Sequence, residues 1–480
     1  MTNARVPSDN PGDLHPNQSD RKYVMSSLMG LLDMGAGAII AQNAGIATAS
    51  NNAANVNTEG YSRQRVDLRA NVGSPILGGV TFGDPQRVGS DLLAGRQRII
   101  GGSVGYFDSL SSSLLDLEGV ITAAEGDIPA GFGEFFGNLN NVATSPLDPQ
   151  QREAVMASAR RLSTSFRQQS DDLQRSRKDA DERIRDTVLS ASSLTAEIAK
   201  LNKAIQLQGD PVLLDQRETA ALKLSELIGG KARIDGDGQM RFMLDNGSVV
   251  VDGTRASSLE ATSDASLGGM SRIEVVDGTH RSNITQSVTS GKLGGDIHFR
   301  DEVTVRIVAE VDQLAFDFAT NVNAIHRGFA GLDGVGGRDL FVEPVAVVGA
   351  AALFELDPTI DADPSLLATA GLGQPTGDNN GMLALLGMQD QLLAGGGTRT
   401  FVDESVRYIS GVGQDVRASV VDQKFNEAQK FGLDTLRDSI SGVSLEEELN
   451  RLSQFQNASQ ANMRFVQSID QLLGRMIDLL

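Results

Sequence analysis

The residues of this chain that could carry chemistry are few and scattered. Gly101-Gly102-Ser103-Val104-Gly105 has the spacing of a nucleophile elbow. In an elbow, a strained strand-to-helix turn lifts a serine hydroxyl clear of the backbone, and an acid and a histidine downstream serve it. Here the flanks are helical in pattern on both sides, and the only later histidines are His280, His298 and His326. Asp235-Gly236-Asp237-Gly238 begins like a calcium loop, but Asn246 stands where the twelfth-position Glu is needed, so a hairpin turn fits better. Gly331 to Arg338 lacks the Lys-Ser or Lys-Thr pair of a phosphate loop and reads as a flexible connection. His326 is expected at a helix end, facing solvent or an interface. The chain has no Cys and no His-Glu-x-x-His, which excludes thiolate chemistry and that zinc motif. No catalytic, cofactor-binding or metal residue is assigned, and no enzyme is expected.

Composition narrows the classes further. With 480 residues the chain can hold about three domains. A net charge of -20 makes nucleic acid and acidic membrane surfaces poor partners. The aromatic content of 5%, without Trp, argues against one large core and for helices packed through Leu, Ala, Val and Ile. No run of eighteen apolar residues is present, so no membrane insertion is expected. Residues 1–24 are polar, carry Pro7, Pro11 and Pro16, and lack the apolar core of a signal peptide. They are expected to be a disordered leader. Helical periodicity begins at Met25, a candidate start of the protein.

The elements follow from pattern. From Leu28, positions 28, 32, 35, 39, 42, 46, 49, 53 and 56 alternate steps of four and three, a coiled-coil-like seam with small residues. It runs into Asn51-Asn52-Ala53-Ala54-Asn55-Val56-Asn57-Thr58-Glu59-Gly60-Tyr61-Ser62-Arg63-Gln64, where amides and Gly60 predict a helix end and a switch to extended chain. So many small and amide side chains in one stretch also suggest a packing surface for other chains. Short strands are expected up to about Ser90, and helices over about 91–125, 132–141 and 149–208. The last is a rod whose mixed acids and arginines (171–186) read as a solvated face laced with i,i+4 pairs. A β module is expected over about 230–287, then a helix to Arg327. The final helix, 445–480, has a seam at Leu445, Leu449, Leu452, Gln456, Ser459, Met463, Val466, Asp470, Leu473, Ile477 and Leu480. A second stripe passes through Phe455, Phe465, Ile469, Leu472, Met476 and Leu479, making an apolar face too wide for one partner helix. Ser444 with Glu447 offers a capping box. The fold class is mainly α with small β parts (α+β).

The two ends together resemble the bacterial flagellar axial proteins of rod, hook and hook-associated type. The N-terminal match is Asn51, Asn52, Ala53, Ala54 and Asn55 with Asn57, Thr58, Gly60, Tyr61 and Arg63. The C-terminal match is Ser441 to Glu448 with Phe455, Gln456 and Ala458 to Ala461. Asp215-Gln216-Arg217 and Gly291 to Asp301 match hook-associated members internally. A Tyr often found within 458–461 is missing. The resemblance implies a terminal coiled-coil domain from 25–60 with 442–480. It also implies a mostly helical rod domain from 61–229, 288–341 and 376–441, and a small β outer domain from 230–287 with 342–375. It implies a structural subunit at the hook–filament junction, exported unfolded by the flagellar type III apparatus without signal cleavage, and lying outside the cell. The implied partners are the hook protein, a second junction protein (the third hook-associated protein), a ring of identical subunits, and a cytoplasmic export chaperone at the C-terminal helix. Alternatives are another axial protein (hook protein or third hook-associated protein) and a surface binding module. Both termini expose more apolar stripe than a monomer can cover and are expected to be loose before assembly.

Overall fold

The computed structural model describes residues 18–70, 78–122 and 127–478, with side chains from Ser26 onward. Its helices are α1 (Gln18–Ala54), α2 (Asp91–Thr122), α3 (Ile128–Thr144), α4 (Pro149–Gln208), α5 (Pro211–Ile228), α6 (Gly291–His298), α7 (Thr304–His326), α8 (Pro358–Ala362), α9 (Asn380–Leu386), α10 (Phe401–Ser441) and α11 (Leu445–Asp478). The mainly α, α+β expectation holds. The leader expected over 1–24 lies outside the described residues up to 17, while 18–24 are the first turns of α1, so that helix starts earlier than its apolar seam.

Two compact units divide the described chain. The first takes its residues from 1–91, 208–218 and 434–480. In it, α1 packs antiparallel against α11, with Gly35 at Val466, Gly45 at Phe455 and Asn52 at Glu448, and two small antiparallel pairs follow the end of α1. Gln64–Arg65 (β1) pairs with Gln86–Arg87 (β4), and Leu68–Ala70 (β2) with Val80–Phe82 (β3). The unit is wider than the 25–60 and 442–480 expected for a terminal domain, because Ser62, Arg63 and Arg87 hydrogen-bond to Asp215 and to Ser441 within it.

The second unit, 92–207 with 219–433, is built on α4. Asp148 Oδ1 caps that helix by accepting from the Gln150 N–H, and Gly209, at φ +64°, ends it. At 60 residues α4 is about 90 Å long. Its N-terminal half lies in a core shared with α3, α7 and the start of α10. The few aromatic residues are concentrated there: Phe132–Phe318, Phe166–Phe354 and Phe341–Phe354 have ring centroids 4.7–4.8 Å apart. Low aromatic content therefore did not mean a small core. Residues 342–375, expected in the β outer domain, instead bury Phe354, Ile360 and Leu367 in this helical core. Arg152, 1% exposed, holds that segment by donating to the carbonyls of Pro146 and Leu367 and to Thr369 Oγ1. Burial without a carboxylate partner pushes its guanidinium down to about 10.

Two antiparallel sheets lie against the C-terminal half of α4, joined to it through Asn202, Thr195 and Ser192. Lys231–Ile234 (β5), Met240–Met243 (β6), Val249–Asp252 (β7) and Arg255–Ala256 (β8) pair in sequence order. Ser258–Ser263 (β9), Ser271–Asp277 (β10) and His280–Asn283 (β11) form the second, with β10 central. The Asp235–Gly238 turn is the expected hairpin: Asp235 Oδ1 accepts from the Asp237 and Gln239 N–H groups, and Gly238 takes φ +76°. Phe329–Ala330 (β12) and Ala370–Gly371 (β13) make a last short pair.

The charged face of α4 is not simply solvated. Asp181 is buried, and its Oδ1 accepts from Arg300 Nη1 at 2.6 Å and from the Ser271 N–H at 2.7 Å. Arg183 Nε donates to Asp296 Oδ1 at 3.0 Å, and Arg185 Nε to Ser271 Oγ at 2.7 Å. A polar stripe on a long helix can thus be an interface when the neighbouring elements bring complementary polar groups. Arg300 sits in a five-residue π-helical segment, Phe299–Val303, joining α6 to α7.

The junction of the two terminal motifs

The chain leaves α1 through a run of turns. The Asn55 N–H still reaches the Asn51 carbonyl at 3.1 Å, the Thr58 N–H reaches Asn55 O, and Gly60 at φ +79° reverses direction. Asn51 is exposed and bonds Asn55, whose Oδ1 accepts from Thr58 Oγ1. Ala53 is half-buried; Asn57, Thr58 and Glu59 are exposed.

Asn52 is the opposite case. It is fully buried, and its amide makes four hydrogen bonds. Nδ2 donates to Gln64 O at 2.9 Å and to Glu448 Oε2 at 3.1 Å. Oδ1 accepts from the Gln64 N–H and from the Tyr61 hydroxyl, both at 2.9 Å. Two donors and two acceptor lone pairs are thereby used, the full capacity of the group. Burial, then the charges of Asp215 and Glu448, push the Tyr61 phenol up to about 12, which keeps it a donor.

Glu448 is nearly inaccessible and draws in Arg63, whose Nε donates to Glu448 Oε1 at 2.8 Å while Nη2 donates to Glu447 Oε2 at 2.6 Å. Burial opposes the charge of Arg63, but these hydrogen bonds outweigh it and raise its affinity for the proton. The Arg63 N–H donates to Ser441 O, and Arg437 Nη2 donates to Gly60 O at 2.7 Å. Asp215 Oδ2 accepts from the Ser62 N–H at 2.8 Å. Burial raises the Asp215 carboxyl above the usual range despite that bond and Arg87. Sequence reasoning had Glu448 and Asp215 only inside matching strings. Three consecutive glutamates at a helix start do not show which one turns inward.

The capping box is half formed. The Glu447 N–H lies 3.4 Å from Ser444 Oγ, but the Glu447 carboxylate serves Arg63 instead of returning to Ser444.

Along α11 the buried line is shifted from the expected seam. Glu448, Ser459 and Ile469 are buried; Leu452, Phe455, Val466 and Leu473 are half-buried. Leu445, Leu449, Met463 and Ile477 remain 44–58% exposed, and Leu479 and Leu480 lie outside the described residues. The shift has a steric cause on α1, where Gly35 and Gly45 open a narrow trough. A Cβ at Gly35 would stand 2.5 Å from Val466 Cγ2, and one at Gly45 would stand 2.8 Å from the Phe455 ring. Close approach there turns Phe455 and Val466 inward, while Leu445 and Leu449 stay exposed. On α1 the expected seam is correspondingly half-buried at Leu28, Leu32, Ile39, Gln42 and Ile46, with Val56 exposed.

The remaining motifs are structural. Ser103 lies in the middle of α2, not on a strand-to-helix turn, and its hydroxyl bonds Ile99 O. The glycines around it serve close contact: a Cβ at Gly105 would stand 2.0 Å from Glu226 O, and one at Gly102 would stand 3.3 Å from Ser225 O. His326 is fully buried rather than facing solvent, with Nδ1 2.7 Å from Arg338 O and Nε2 accepting from the Ala368 N–H at 3.0 Å. Among the described residues, no His, Asp and Glu cluster could hold a metal ion, and no helix is long and apolar enough to cross a membrane.

Comparison with known proteins gives one description throughout. Residues 114–341 match the family model of the flagellar hook-associated protein FlgK helical domain. Flagellar hook-associated protein 1 of Bacillus subtilis strain 168 is 26% identical, covering 94% of this chain and 98% of its own length. That of Escherichia coli K12 is 22% identical over 92% of this chain and 97% of its own. The solved flagellar hook junction protein FlgK from Burkholderia pseudomallei superposes with a TM-score of 0.66 at 15% identity, covering 72% of this chain and all of that one, and so shares the fold. With that helical domain between its two interlocked terminal motifs, the chain is similar over nearly its whole length to flagellar hook-associated protein 1.

Proposed function

We propose that this chain is a structural subunit of the bacterial flagellum that joins hook to filament by packing its helices against neighbouring subunits. One observation carries the reading: α11 covers only one of its apolar faces on α1. On a helix of 3.6 residues per turn, Leu445, Leu449, Met463 and Ile477 flank the buried line on one side, and Phe465 and Leu472 flank it on the other. Apolar stripes on both flanks of a two-helix pair call for neighbours on both sides. Those neighbours are other copies in a ring, the hook protein on one face and the third hook-associated protein on the other. The same face of α11 suits an export chaperone before assembly. The protein then passes unfolded through the flagellar export apparatus, without a cleaved signal, to a position outside the cell. No catalytic step enters this role.

The test is the double variant Leu449→Ser with Met463→Ser in a strain lacking its own copy. Both side chains are exposed, so the purified variant should melt like the parent. Filament attachment and swimming should be lost. Normal swimming with the variant present in flagella contradicts the reading.

A further inference from the structure

Within the helical unit, the far half of α10 is polar inside and apolar outside. Val412, Val416, Ser419, Gln423 and Asn426, in steps of four and three, form its inward line; Gln423 is half-buried and the others are buried. From Ser419 onward that line is polar. Ser111 Oγ donates to Gln423 Oε1 at 2.8 Å, and Gln423 Nε2 donates to Asp108 Oδ1 at 3.0 Å. The opposite face carries Ala418, Val421, Phe425, Ala428 and Gly432, in steps of three and four, and all five are exposed. Val421 is 65% and Phe425 61% exposed, and a Cβ on Gly432 would meet nothing. An apolar heptad seam on the outer side of a helix with a polar inner side calls for a second helix.

The residues beside the seam select that helix. With 418, 425 and 432 as positions a and 421 and 428 as d, Arg417 and Lys424 are at g, and Asp422 and Gln429 are at e. One flank is therefore basic and the other acidic or amide, with Arg417, Asp422 and Lys424 exposed. A parallel, in-register copy of the same helix sets each g residue against the e residue five positions on. Arg417 then meets Asp422, and Lys424 meets Gln429, once in each direction. An antiparallel copy would set the basic flank against the basic flank. Phe425 falls at the centre against its own equivalent, and Ala418, Ala428 and Gly432 let the two backbones close around it. Upstream, Gly411 and Gln414 continue the seam without an apolar side chain, and Asp415 is engaged by Arg306. The contact thus spans 418–432, about 21 Å of helix.

We propose that this seam receives α10 of a second copy of the chain, parallel and in register, as a two-fold pair of the unassembled protein. A two-fold contact closes on itself and cannot propagate into a ring, so it stands apart from the assembly reading above. So short a contact is smaller than a stable interface. The pair should form only at about 10–100 μM and dissociate on dilution.

Sedimentation of the purified full chain, in about 0.15 M salt to screen its net charge of -20, should show monomer at about 1 μM and dimer at about 300 μM. Phe425→Glu should leave the melting of the dilute protein unchanged and raise the dimer midpoint at least about tenfold. Arg417→Asp and Asp422→Arg should each weaken the pair about tenfold, and the chain carrying both should recover it, which requires α10 to meet its own copy in parallel. The natural chain has no Cys. Ala428→Cys should therefore give one disulfide-linked dimer on mild oxidation, whereas Glu427→Cys, exposed but off the seam, should not. A chain that stays monomeric at about 300 μM, a double charge exchange that fails to recover the pair, or no cross-link through position 428 overturns the proposal. Each of these results leaves the junction role standing.

Discussion

Asn52 and Glu448 stand 396 positions apart in the chain and meet in a buried hydrogen bond of 3.1 Å. Each belongs to one of the terminal motifs, so the two ends are joined by a specific polar lock as well as by apolar helix contact. A buried amide with all four bonds made selects a single register, because any slip of α1 on α11 leaves several polar groups unpaired.

Replacing Asn52 by Leu keeps the volume and removes all four bonds. Gln64 and Tyr61 would lose their partner, and Glu448 would keep only its arginines, Arg63 and Arg451. The expected cost is about 3 kcal/mol, confined to the unit that holds both termini. Chemical denaturation of the variant should show an earlier transition for that unit, with the helical unit unchanged. Replacing Asn51, which is exposed, should have little effect.

Much of this lock was present in the sequence as composition but not as geometry. The amide-rich end of α1, the stop at Gly60 and the long terminal helices follow from pattern alone. Which amide faces inward does not, since Asn51 and Asn52 are adjacent and chemically identical, and only the position of Glu448 distinguishes them. The shifted seam of α11 has the same origin. Heptad reading ranks positions by apolarity, whereas the structure ranks them by how closely Gly35 and Gly45 let the partner approach. The charged face of α4 was legible in part: Asp171, Asp179, Glu182 and Asp186 are exposed, as a solvated face requires, whereas Asp181 in the same run is buried against Ser271 and Arg300, 90 and 119 residues away.

Arg300→Met should leave the buried Asp181 with only the half-exposed Arg185 as a cation and destabilise the helical unit by about 3 kcal/mol. Adding Asp181→Asn should recover part of that loss. Burial would raise the Asp181 carboxyl, but the Ser271 N–H and Arg300 outweigh it and hold the group below the usual range. The folded state therefore binds this proton less readily than the unfolded chain. The stability it contributes is complete above about pH 4 and is lost as the pH falls further. Asp181→Asn alone should flatten the acid limb of the stability curve.

His326 supplies a second pH dependence in a different window. Its burial, only partly offset by the Arg338 carbonyl, lowers its affinity for the proton, so the folded protein keeps the ring neutral. The unfolded chain takes up that proton near pH 6.5, so stability is complete above that value and declines below it. Thermal melting between pH 7.5 and pH 5 should show the decline, in the range of about 1–2 kcal/mol. His326→Gln can satisfy both the Arg338 carbonyl and the Ala368 N–H and should remove most of the slope while lowering stability at pH 7.5.

The α2 glycines offer a steric prediction. Gly105→Ala would drive a methyl group against the Glu226 carbonyl and should cost about 1–3 kcal/mol. Gly119→Ala on the same helix meets nothing and should be neutral or stabilising by up to about 1 kcal/mol. Paired melting curves of the two variants check this directly. An unaffected Gly105→Ala would mean that the close crossing of α2 with the end of α5 is not formed.

The central claim is that the terminal helix pair is completed by neighbouring subunits, and hydrogen exchange read by mass spectrometry tests it most directly. The comparison is between the purified monomer and the same chain in isolated flagella. The account predicts weaker protection over 26–56 and 445–478 than in the helical unit of the monomer, and strong protection of both ends once assembled. Equal protection of the ends in the two states would contradict it, because a terminal pair already complete in the monomer would leave its exposed stripes with nothing to recruit.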